Sequence, residues 1–112
     1  MRRRRRLYES EGDVDHYNKY RKLKKASDQW HENYRHHYVK ASEEGPDSWH
    51  HEAGHECLHS HMLAYHAGSI HESVHQMQQQ QKENPTKAGA KAIKQLKRLA
   101  HAAEKDFYKS ER

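Results

Sequence analysis

His51-Glu52-Ala53-Gly54-His55 fits the pattern H-E-x-x-H, and His55-Glu56-Cys57-Leu58-His59 repeats it with His55 shared. A third copy, His71-Glu72-Ser73-Val74-His75, follows eleven residues after Ser60 begins the next stretch. On a helix, two His four residues apart point the same way and can share a Zn²⁺ ion. The Glu after the first His then polarises a metal-bound water as general base. The candidate metal ligands are therefore His51, His55 and His59, with Glu52 as the candidate catalytic base. With 13 His in 112 residues, chance placement gives about 0.14 such matches. Three copies are well above that, so the i, i+4 arrangement is more than a consequence of composition.

The string HEAGH at 51–55 resembles the zinc helix of the zincin metallopeptidases and is similar to that of the membrane-anchored ATP-dependent zinc proteases. The resemblance covers five of the 112 residues. It implies His51 and His55 as zinc ligands, Glu52 as base and a third protein ligand from elsewhere. Glu72 would serve if the chain turned at Gly68, and His101, Glu104 or Asp106 if the last helix packed suitably.

Helical arithmetic limits what the repeats can do together. His51 and His59 lie about 12 Å apart along the axis, too far to hold one ion, and His71 and His75 point more than about 120° away from them. The repeats therefore do not add up to one centre. Glu52/His55, Glu56/His59 and Glu72/His75 also have the Glu-x-x-His spacing by which ferritin-like bundles hold paired metal ions. That use needs facing carboxylates, and only Asp28 and Glu32 are near on the first helix. The plainer reading is a flank of solvated His that takes up zinc or nickel adventitiously.

The elements that position these residues read as all-α. Gly45-Pro46-Asp47 and Asn84-Pro85-Thr86 punctuate the chain, each with Pro and a capping residue at a helix start. No alternating run of β-branched residues marks a strand. Helices are expected near 13–42, 47–83 and 85–109, forming a three-helix bundle or an extended helical hairpin behind a flexible polybasic arm at 1–12. Ser69-Ile70-His71-Glu72 has the form of a capping box that could split the second helix at Gly68-Ser69. The apolar seam running through Leu63, Ala67, Ile70 and Val74 favours continuity.

Spacings of four and three define the seams. The first helix offers His16, Tyr20, Leu23, Ser27, Trp30, Tyr34, His37 and Ala41. The second offers Trp49, Ala53, Glu56, Ser60, Leu63, Ala67, Ile70, Val74 and Met77, and the third Gly89, Ile93, Leu96, Ala100, Ala103 and Phe107. Cys57, on the small-residue side of the second helix, is expected to be a buried small side chain and not a nucleophile.

Composition sets the wider limits. Hydrophobic residues are 32% and charged residues 33%, and mean hydropathy is -1.50. Such a chain buries little apolar surface, so help from a metal, a partner or self-association through the seams is expected. No apolar run reaches the roughly 20 residues of a membrane span. The single Cys excludes an intrachain disulfide. That usage fits an intracellular location, or a virion.

Charge divides the chain into three blocks. Residues 1–46 balance at +4, residues 47–84 at -4 with 8 of the 13 His, and residues 85–112 at +5. Arg2, Arg3, Arg4, Arg5 and Arg6 repel one another and invite an anion; phosphate, with counterion release, is the natural one. This run resembles the nucleic-acid-facing arms of small virion and chromatin-like proteins. On the third helix Lys87, Lys91, Lys94, Arg98 and Lys105 share one face opposite Ala100 and Phe107. No base-reading motif accompanies them, so contact with nucleic acid should ignore sequence. The expected function is a non-enzymatic, basic, helical structural or interaction protein of a viral, phage or other nucleic-acid assembly, with a His-rich helix able to bind zinc. The alternative is a small zinc-dependent hydrolase or peptidase using His51, His55 and Glu52.

Overall fold

The structure, a computed structural model, describes the backbone of residues 2–111 and the side chains of residues 16–111. Three helices follow one another: α1 (Arg2–Glu44), α2 (His50–Glu83) and α3 (Lys87–Ser110). No strand occurs among the described residues. The expected all-α three-helix arrangement is present, and α2 runs unbroken through Gly68-Ser69. The backbone helix of α1 also takes in residues 2–12, which the sequence suggested as a separate flexible arm. The side chains of Arg2 to Arg6, and with them their expected phosphate contacts, lie outside the described residues.

Both turns follow from local chemistry. Gly45 adopts φ 98°, a left-handed conformation that costs a residue without Cβ little, and its N–H closes onto the Ala41 carbonyl at 2.9 Å. Ser48 lies in the turn before α2, its hydroxyl accepting the His50 N–H at 3.1 Å. Before α3, the Thr86 side chain accepts the Gly89 N–H at 2.9 Å, and Gln81 clasps the same residue through its carbonyl and N–H. Replacing this N-cap by Ala should cost about 1 kcal/mol. Urea unfolding of Thr86→Ala checks it; an unchanged midpoint would show that Gln81 alone sets the turn.

α2 lies between the other two helices, antiparallel to each. α1 and α3 run the same way and meet over it through side chains, so the architecture is a bundle. Leu23 of α1, Ala64 and Ala67 of α2, and Ala103 and Phe107 of α3 form one core cluster. Val74, Ile93 and Ala100 form a second between α2 and α3. Small residues set the α1–α2 distance: a Cβ on Gly68 would come 3.3 Å from Leu23 Cβ. The seams expected on α1 and α3 pack inward as read, apart from Gly89 at the start of α3, which stays half-exposed.

The α2 seam needs correction at its N-terminal end. Trp49 is 65% exposed and Glu56 is exposed, while His50, Gly54 and Cys57 are buried in their place. The buried band has turned by about one residue there. Trp49 instead stacks on His50, ring centroids 3.9 Å apart. Tyr34 and His37 of α1 pack against position 54, where a Cβ would meet them at ordinary contact distance, 3.5 Å from His37 Cβ and 3.9 Å from the Tyr34 ring. Further along, α2 faces two helices at once and its buried band is broader than a single seam.

Candidate functional site

His51, His55 and His59, and Glu52 beside them, are exposed on the outer side of α2. The stripe is a solvent-facing flank of α2. The His51 Nε2–H donates to the Gly45 carbonyl at 3.0 Å, which ties it to the preceding turn. No group of three or more His, Cys, Asp or Glu placed to hold a metal ion occurs among the described residues. Of the third ligands considered, Glu104 is engaged elsewhere, and His101 and Asp106 are exposed. Cys57 is buried as expected, and burial, reinforced by the neighbouring Glu56 charge, pushes its thiol pKa up, away from nucleophilic use.

The His that matter to the structure are others. The Nδ1 atoms of His37 and His50 face each other at 2.7 Å across α1 and α2, near the first turn. At the other end of the same interface, His16 and His71 bring their Nδ1 atoms to 2.8 Å. Between them, His61 Nδ1–H donates to the Ser27 carbonyl at 2.8 Å and lies as close to the Ser27 hydroxyl. His71 is 1% exposed, and its Nε2–H donates to Glu104 Oε1 at 2.7 Å. Lys19 reaches the other oxygen of Glu104 at 3.4 Å. The hydrogen bond from His71 is the largest reason that the Glu104 carboxyl stays below its usual pKa range, and Lys19 adds to it. One carboxylate thus joins all three helices.

Two signals in the sequence could have found these pairs. His16 and His37 were already on the α1 seam, and they are 21 residues apart, as are His50 and His71. Twenty-one residues are three heptads, so antiparallel helices bring both pairs into register together. The H-E-x-x-H pattern drew the eye to His51 and away from its neighbour His50.

The cationic residues have their own geometry. An open groove of about 750 Å³ runs between α1 and α3. Lys19, Arg21, Lys22 and Lys25 line one wall and Glu104 and Tyr108 the other. Arg21 lies over the Tyr17 ring, 5.9 Å from its centroid. Lys105 precedes Tyr108 by one turn, so the cationic face of α3 begins at the rim of this groove. Lys87, Lys91, Lys94, Arg98 and Lys105 are all exposed. Among the described residues neither they nor Lys22 and Lys25 have a carboxylate partner. The α1 members of this patch form no motif of their own in the sequence and follow the longer run Arg2 to Arg6.

Compared with protein-family models, with curated proteins and with solved structures, the chain matches none. No helix among the described residues is long and apolar enough to cross a membrane.

Proposed function

We propose that the protein is a non-enzymatic helical component of a nucleic-acid-containing assembly, such as a viral or phage particle, and that it holds the phosphate backbone. The observation that carries this reading is the array of exposed, unpartnered cations. It covers the outer face of α3 and continues at the groove with Lys22 and Lys25. Cations on a rigid helix face that have no acidic partners recover their electrostatic energy from an external polyanion. Helix faces of Lys and Arg without a base-reading side chain contact phosphates and leave sequence unread. Glu104 does not repel a phosphate in the groove strongly, because Lys19 and His71 already hold its charge.

Binding to a duplex of arbitrary sequence, followed by fluorescence anisotropy over a salt series, tests the reading. Lys22→Glu/Lys25→Glu should weaken binding about tenfold or more at low salt. It should also reduce the slope of log K against log salt by roughly 2. Deleting residues 2–6 should act in the same direction. Equal affinity and equal slope in the double variant, with the helical circular dichroism retained, would overturn the proposal.

A further inference from the structure

We propose that the two cross-helix histidine pairs, His37–His50 and His16–His71, are zinc-binding sites that clamp α1 to α2. In each pair the facing atoms are Nδ1 and Nδ1, at 2.7 and 2.8 Å. The α2 member of each pair has a carboxylate at its other nitrogen. His71 Nε2 is 2.7 Å from Glu104, and His50 Nε2 is 3.6 Å from Glu44. Glu104 accepts the Nε2–H of His71, and the Glu44 carboxylate, at ion-pair distance from His50, favours the proton on Nε2 there, so that each α2 imidazole turns its Nδ1 lone pair toward its partner. This is the arrangement by which metal-ligating His are oriented and made more basic.

The α1 imidazole can then do one of two things. It can donate its Nδ1–H to that lone pair, or it can place its own proton on Nε2, so that two Nδ1 lone pairs converge. Converging lone pairs are a divalent cation site. Two ligands on a tetrahedral zinc at 2.0–2.1 Å stand roughly 3.4 Å apart, so the rings need separate by only about 0.6 Å. Imidazole nitrogen suits zinc, whereas Mg²⁺ and Ca²⁺ prefer oxygen. Each site has two protein ligands, with water completing the shell, which agrees with the absence of any three-residue cluster among the described residues. Zinc held in this way joins two helices. Zinc on His51, His55 or His59 sits within a single helix and joins none.

The experiment is thermal unfolding of the full chain at pH 7.5, with chelator and with a small excess of ZnCl₂, together with zinc titration calorimetry. Zinc should raise the midpoint by about 5 °C or more, because it binds only the folded arrangement of each pair. His16→Gln/His37→Gln should remove that rise, while His51→Gln/His55→Gln/His59→Gln should keep it. The seam variant replaces half-buried α1 residues, and its metal-free midpoint shows that it folds. If that variant does not fold, His37→Gln alone should lose about half of the zinc-dependent rise. A rise abolished by the triple variant, a rise kept in the seam variants, or no rise at all would overturn the proposal.

Discussion

Phe107→Ala should remove about 3–5 kcal/mol of stability, the range for emptying a buried aromatic site. Phe107 is 1% exposed and is the largest fully buried side chain among the described residues. Its cluster partners are Leu23, Ala64, Ala67 and Ala103. Three of these four partners are alanines, fixed to their helix backbones, so most of the wall cannot move into the vacated space. Few other large apolar side chains are buried, which makes this one loss a large share of the total. Urea unfolding at pH 7.5 measures it, with His51→Ala as the control; that exposed residue should change stability by no more than about 0.5 kcal/mol. Equal losses in the two variants would mean that Phe107 does not anchor the bundle.

Acidification should loosen the α1–α2 interface, beginning near pH 6.5. The His37–His50 pair holds one proton between its facing Nδ1 atoms, and a second proton makes one ring a cation and sets two N–H groups against each other. Burial holds the His37 pKa below its ordinary value of 6.5, and His50 and His36 lower it further. The charged and titratable groups at this joint are His36 and Glu44 from α1 and His50 itself from α2. A folded-state pKa below the unfolded one means that the unfolded chain binds more protons. The stabilisation is therefore complete above about pH 6.5 and is lost as pH falls through the lowered folded value.

Glu104 acts further down the scale. Its folded pKa is also lowered, from 4.5, so its contribution survives above that value and disappears as the carboxyl is protonated and releases His71 and Lys19. Thermal unfolding at pH 7.5 and pH 5.5, with chelator and matched ionic strength, should show a clearly lower midpoint at the lower pH. His37→Gln should reduce the difference. An unchanged midpoint in the parent chain would mean that these His are uncoupled from folding.

The fold was readable to the extent that it depends on period and punctuation. The three helices, the two turns, the continuity of α2 and the inward faces of α1 and α3 all follow from spacings of three and four between the Gly-Pro and Asn-Pro breaks. The site was less readable. His51, His55 and His59 were assigned to a flank and lie on one, but His50 and His71 differ from them by nothing that a local pattern records. The His and Glu of both H-E-x-x-H copies around His55 lie outside, while the first His of the third copy is among the most buried described residues.

Sequence by itself determined the all-α class, the helix limits to within a few residues after residue 44, the charge blocks and the cationic face of α3, because each depends on neighbours along one helix. Tertiary structure alone decided which imidazoles meet. That choice depends on the rotation of α2 about its axis, and the rotation is set where Gly54, Ala64, Ala67 and Gly68 let α1 approach closely. At the N-terminal end of α2 a turn of about one residue buries His50 instead of Trp49, and further along the broader buried band takes in His71 against both His16 and Glu104, while the His and Glu of the H-E-x-x-H stripe stay in solvent. One residue is about 100° of rotation, and a seam made of small and polar side chains does not mark which of two such neighbouring faces is buried.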